Sequence, residues 1–268
     1  MLRDITLGQY YPADSPVHKL DPRVKLMAAL VYIVSLFVFR GIPGFALATV
    51  FLVFMIKICR VPFRFMVKGL RAIVILMVFT AVFNLFLTPG KQVLFHYGIF
   101  TITMEGVKNA VFMLIRLTYL IVGTSIMTLT TTPNQLTDGL EKALKPLSKI
   151  GVPVHAVAMM MSIALRFIPI LIEETDIIMK AQMARGADFE EGNLIRRAKN
   201  MIPLLIPLFI SAFRRADELA MAMEARCYEG GEGRTKMRPL HYAKLDYLAY
   251  LLLACYFGGI IALRVFFG

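Results

Sequence analysis

Long apolar stretches alternate with short polar ones along the chain, at Leu26–Phe39, Phe45–Ile56, Ala72–Leu87, Ala110–Leu129, Val152–Ile172, Met201–Phe213 and Leu245–Leu263. Several fall short of the ~20 residues of an ideal helical span. Lys25 and Lys57 flank the first two runs and can snorkel, which lengthens the effective span. The turn "RGIPG" at Arg40–Gly44 predicts that these two runs form a short helical hairpin. Ahead of them, "YYPADSPVHKLDPRVK" is polar and turn-rich and lacks the order of charged, apolar and small residues that marks a cleaved signal. The N-terminus is therefore expected to stay cytoplasmic.

Composition turns this pattern into a membrane protein. Of 268 residues, 58% are hydrophobic and the mean hydropathy is +0.67, against an apolar share of about 45–50% in soluble proteins. The formal net charge of +12 then reports topology before it reports a nucleic-acid partner, and none is expected. Lys57, Arg60, Arg64, Lys68 and Arg71 fall together in one segment, read as a cytoplasmic loop, whereas the outer segments hold only Arg40, Lys91, Lys108 and Arg264. This bias places the N-terminus inside.

The run Val152–Ile172 is apolar enough to cross, yet crossing would export Lys180, Arg185, Arg196, Arg197 and Lys199. The return would fall on Met201–Phe213, which is too short and holds Pro203 and Pro207. The expected organisation is thus an N-terminal transmembrane region over residues 1–131 with four helices, a cytoplasmic or shallowly embedded helical module over 132–244, and a final crossing within 245–268. The fold class is all-α, polytopic, with about five transmembrane helices.

Polar groups that act in sets are scarce. His18, His96, His155 and His241 are isolated, and Cys59, Cys227 and Cys255 form no CxxC pair; no metal site or other cofactor is expected. "GEGRTK" lacks the spacing of a phosphate-binding loop. Glu173, Glu174 and Asp176 superficially resemble an acidic cluster for Mg²⁺-diphosphate. An integral membrane enzyme acting on a lipid or isoprenoid through those acids is the alternative reading; on a helix they also make a wetted face. A plain scaffold is the third. Arg116, inside the fourth run, is either a structural arginine that snorkels or meets a helix end, or a partner contact. Asn84 is expected to make an interhelical hydrogen bond.

The module carries an internal repeat. "DIIMKAQMAR" and "DELAMAMEAR" match as D-x4-A-x2-A-R, pairing Asp176 with Asp217, Ala181 with Ala222, Ala184 with Ala225 and Arg185 with Arg226. Alanine keeps each helix end narrow, and arginine offers a planar fork that can hold a carboxylate bidentately. A local alternative is that each cation simply complements its helix dipole. Gly186 is suited to end the first helix. The second copy has Cys227 there, so its helix is expected to run on toward Gly230 and Gly231. Nine of the 17 methionines lie between Met159 and Met237, a composition suited to adaptable contact surfaces or to lipid and core.

"DSPVHKLDPRVKL", "ALRFIPIL" at Ala164–Leu171 and the paired "ARG" and "ARC" ends resemble the transmembrane T component of energy-coupling-factor transporters, a branch of the ABC importers. The resemblance covers nearly the whole chain. It implies a non-catalytic subunit in the cell membrane that joins two cytoplasmic ATPases to a small S component binding a vitamin or metal ion. It also implies two long coupling helices that cross on the cytoplasmic side. Carried over by motif, Ala184, Arg185, Gly186, Ala225, Arg226 and Cys227 would be the ATPase-binding residues.

Overall fold

The computed structural model describes residues 10–39, 41–88, 93–97, 100–187, 189, 194–230 and 239–267. Among them the chain is a series of helices: α1 (Pro16–Lys19), α2 (Pro22–Val38), α3 (Ile42–Cys59), α4 (Phe63–Leu87), α5 (Met104–Thr130), α6 (Pro133–Leu144), α7 (Val154–Ala184), α8 (Leu194–Glu224) and α9 (Lys244–Phe267), with a 3-10 turn at Lys145–Ile150. α3, α5, α7 and α9 are each long and apolar enough to cross a membrane. α4 makes a further candidate as a bent pair, Phe63–Arg71 and Ile73–Phe86, at 62°. α2, the first expected span, has 17 residues and is not among the candidates. α7, placed by sequence outside the spans, is. The chain is an all-α polytopic membrane protein.

Two local expectations need correction. The basic segment Lys57–Arg71 is mostly helix: only Arg60–Pro62 interrupt it, with Arg60 left-handed at φ 54°. Arg64 and Arg71 stand one heptad apart and share a helix face, a spacing that argues against a loop. Between α4 and α5 lies an antiparallel ribbon, β1 (Val93–Tyr97) and β2 (Phe100–Thr103), pairing His96 with Thr101 and Tyr97 with Phe100. Its β-branched and aromatic residues on either side of Gly98 were the overlooked signal.

Two compact units arise by contact, one from Gly8–Leu140 with Leu240–Gly268, the other containing Glu141–Pro239. In the first, α2 and α3 each pack against α5 and α9, and α4 packs along α5. The expected hairpin of α2 and α3 is thus spaced by aromatic side chains. Tyr32 stacks on Phe51 and Tyr256, Phe51 stacks on Tyr256 at 4.1 Å, and Phe45 lies parallel to Phe112 at 5.1 Å. Gly123 of α5 makes room for this stack, because a Cβ there would sit 2.1 Å from the Tyr32 ring. Leu36, Phe39, Ala48, Met66 and Ile260 complete a buried apolar core.

The N-terminal motif fastens one end of this unit. Ser15 and Asp21 cap α1 and α2 ahead of Pro16 and Pro22, each proline standing where its missing N–H costs nothing. The Asp21 N–H donates to buried Asp246 at 2.8 Å, and Asp246 also accepts from the Ala243 N–H at 2.7 Å, capping α9 from inside its first turn. Arg23 grips Asp21 through two nitrogens and lies 4.0 Å over the Tyr242 ring. Buried Lys25 donates to the carbonyls of His18 (3.0 Å) and Thr130 (2.9 Å), placing a cation at the C-terminal end of α5. The sequence "SPVHKLDPRVK" therefore ties α1, α2, α5 and α9 together.

Candidate partner-docking site at two helix ends

The second unit is built on α7 and α8, and its geometry comes from how each helix ends. At the end of α7 the Gly186 N–H donates to Met183 O at 3.0 Å and the Ala187 N–H to Gln182 O at 3.0 Å. With Gly186 at φ 86°, this is a Schellman cap, with Arg185 as the cap residue. At the end of α8 the Cys227 N–H donates to Glu224 O at 2.8 Å and the Tyr228 N–H to Met223 O at 3.1 Å, with Cys227 at φ 55°. The two caps are the same motif at the same place in the repeat.

The expectation that α8 runs on past Cys227 is therefore overturned. Cys227 takes the left-handed conformation that Gly186 takes, although for a residue with a Cβ this costs roughly 1–2 kcal/mol. The two hydrogen bonds of the cap outweigh a glycine's absence. Ala184, Arg185 and Gly186 are all exposed, and so are Ala225, Arg226 and Cys227. Among the described residues no ion pair engages Arg185 or Arg226. Each tip thus presents alanine, then an open guanidinium, on a helix closed by its own backbone.

Between the tips the helices touch through polar side chains. Glu174 of α7 accepts from Arg215 of α8 at 2.9 and 3.2 Å and also from the Ser211 hydroxyl. Gln182 donates to Pro203 O at 3.3 Å. That carbonyl is the one left without its helical donor by Pro207, four residues on, which has no N–H; the Gln182 amide satisfies it. Going forward along α7 from Glu174 to Gln182 leads backward along α8 from Arg215 to Pro203, so the helices run in opposed directions.

Other sequence candidates take structural places. Glu174 is committed to α8, and among the described residues no group of three or more His, Cys, Asp or Glu is placed to hold a metal ion. Arg116 lies 5.7 and 5.9 Å over the rings of Phe37 and Phe45, a cation held by aromatic faces. Asn84 donates to Thr80 O at 2.9 Å, one turn back in its own helix, and not across to another helix as expected. His18 bridges Tyr11 O (3.0 Å) and Ser15 Oγ (2.7 Å), and His155 meets Glu141 at 2.9 Å. A cavity of about 70 Å³ in the first unit is walled by apolar side chains and by Lys25 and Thr130, whose polar groups already bond each other.

The fold is that of a multi-pass helical membrane subunit, and known proteins give its family. The family described as "Cobalt transport protein" (CbiQ) matches residues 13–237. The chain is 57% identical over 252 residues to the energy-coupling factor transporter transmembrane protein EcfT of Clostridium kluyveri, covering 94% of this chain and 93% of that one. It is 52% identical to the protein of that name from Thermosediminibacter oceani (93% of this chain, 94% of the relative), and 47% identical to the one from Bacillus subtilis (92% and 93%). The chain belongs to this CbiQ/EcfT family of transmembrane components of energy-coupling-factor transporters. It is a non-catalytic transport subunit, and the reading as a lipid enzyme acting through Glu173, Glu174 and Asp176 is not supported.

Proposed function

We propose that the two capped tips, Ala184–Gly186 and Ala225–Cys227, each dock into a groove on one of two cytoplasmic ABC ATPases, and that α7 and α8 carry ATP-driven movement to a small substrate-binding membrane subunit. The observation that carries this reading is the duplication of one exposed Ala-Arg cap, identical in hydrogen bonding down to the carbonyls used. A dipole-complementing cation needs no such copy; two equivalent partners do. The guanidinium supplies a charge-assisted fork for a carboxylate, and the Schellman closure satisfies the Gln182 and Met183 carbonyls, like those of Met223 and Glu224, within the chain itself.

In this reading residues 132–244 are the cytoplasmic coupling module, flanked by the transmembrane region 1–131 and the final crossing in 245–268. α7 is long enough to span, but α8 lies against it in the opposed direction. A spanning α7 would carry the Arg185 and Arg226 tips to opposite faces of the membrane, leaving one of them without an ATPase. Fused reporters after Glu190 and after Lys236 should both report cytoplasm. The cargo, a vitamin or a metal ion, is selected by the substrate-binding partner and not by this chain.

The test is co-purification of ATPases in mild detergent. Truncating one partner of a buried charge-assisted contact costs ~2–5 kcal/mol, so Arg185→Ala or Arg226→Ala should weaken capture. The double change should abolish it, because the second contact is effectively intramolecular once the first has formed. Glu at either position should be worse than Ala. A double mutant that retains both ATPases and normal uptake overturns the proposal.

A further inference from the structure

The repeat that defines the tips also relates the residues that join the helices. Arg215 follows Glu174 by 41 positions, the same offset that separates Arg226 from Arg185 and Asp217 from Asp176. The ion pair between α7 and α8 is therefore made by one repeat position in its two copies, glutamate in the first and arginine in the second. Each lies eleven residues before its terminal arginine. At 1.5 Å per residue both arms measure about 16 Å, and because the helices are opposed, the arms point away from the shared contact.

Resting on the docking function proposed above, we propose that Glu174 and Arg215 are positioning residues that form the pivot of the two coupling helices. They hold the crossing at equal distance from the two ATPase-binding tips. A pivot at equal arms turns displacement of either tip into the same rotation, which suits a pair of equivalent motor subunits. The charges are chosen for this place. A like pair would repel at a point of close approach, and two apolar residues would let the helices slide along their ridges. A two-nitrogen contact, with the Ser211 hydroxyl on the other carboxylate oxygen, fixes both register and azimuth. Gln182 adds a second, unpaired fastening on one arm only, on the carbonyl freed by Pro207. It limits sliding without closing the other arm.

The experiment measures tip separation in the full chain purified with its ATPases. Spin labels are carried on genetically encoded non-natural side chains at Lys180 and Met221, which are exposed and related by the same offset, so that Cys59, Cys227 and Cys255 all stay in place. The parent should give one narrow distance distribution that shifts when Mg-ATP is added. Glu174→Gln and Arg215→Gln should each broaden it and lose the ATP-dependent shift while both ATPases stay bound and still hydrolyse ATP. The exchange Glu174→Arg with Arg215→Glu, which restores a guanidinium fork facing a carboxylate, should recover the narrow distribution and the shift, and Arg215→Lys, with one nitrogen, should recover them only in part. A simple loss of folding would instead remove the ATPases along with the signal, and the conserved-charge variants guard against it. Native width and full shift in both glutamine variants would overturn the pivot. If no ATPase accompanies the parent chain, the docking function fails, whereas the broadening in the isolated chain still decides the pivot.

Discussion

The two units of this chain hold themselves together in different ways. In the unit of Gly8–Leu140 with Leu240–Gly268, aromatic rings stack across α2, α3, α5 and α9, and a buried polar clasp ties the helix ends through Asp21, Arg23, Lys25 and Asp246. In Glu141–Pro239, the buried apolar side chains among the described residues are Val154, Ala158 and Leu204. Met160, Ile177, Ile202, Ile206, Phe209, Ile210 and Phe213 stand exposed instead. An apolar surface on that scale is meant to be covered by lipid or protein. The first unit has a buried core of its own. In the second, α7 and α8 are shaped by a proline-freed carbonyl, an ion pair and two caps. A helix pair with little core of its own can turn without unpacking one.

That contrast is sharpest where the scaffold's polar clasp is set against the module's exposed face. Asp246 is 1% exposed and accepts from two backbone N–H groups. Asp246→Ala strands both donors, at ~1–3 kcal/mol each, and should clearly lower the thermal midpoint of the purified chain in detergent. Phe209→Ala, on a side chain 62% exposed, should leave that midpoint nearly unchanged. If the two substitutions destabilise equally, α7 and α8 have a core that their surfaces do not show, and the comparison breaks.

The two tips allow a smaller test within the module. Cys227 bears a left-handed conformation that glycine adopts freely, so Cys227→Gly should stabilise the end of α8 by about 1 kcal/mol, read as slower amide exchange at Cys227 and Tyr228. Gly186→Cys should weaken the end of α7 by a similar amount. Unchanged exchange in both would mean that the caps are held by something other than their own backbone geometry.

The smallest expected effect is on pH. Burial holds the His18 imidazole below its ordinary value of 6.5, and its ring is bonded in the neutral form by Tyr11 O and Ser15. The unfolded chain therefore takes up a proton first as pH falls. The contribution of His18 is intact above about pH 6.5 and is lost as pH falls toward its folded value. The midpoint of the chain should drop on going from pH 7.5 to 5.5, and His18→Gln should remove that part of the slope. An unaltered slope would detach the motif's histidine from scaffold stability.

Much of this architecture was legible in the sequence because helices in a membrane announce themselves by length and apolarity. The spans of α3, α5 and α9 followed from hydropathy, the second half of α4 from the third run, and the repeated Ala-Arg ends from direct alignment. The β-ribbon was missed because strand alternation beside a glycine is a short-range signal, overwhelmed by the long apolar runs around it. The helix at Phe63–Arg71 was missed because charge was counted for topology and not for its heptad spacing.

The two helix tips divide cleanly between the two sources. The sequence determined that Arg185 and Arg226 close equivalent segments, since a repeat needs only residue identity and spacing. It could not determine that Cys227 ends α8 where Gly186 ends α7, because propensity favours glycine, and only the two backbone bonds from Cys227 and Tyr228 make the left-handed turn worth its cost. Nor could it pair Glu174 with Arg215. Alignment placed them at one repeat position, but contact between copies depends on how the helices cross, and that is set by the three-dimensional approach of α7 to α8.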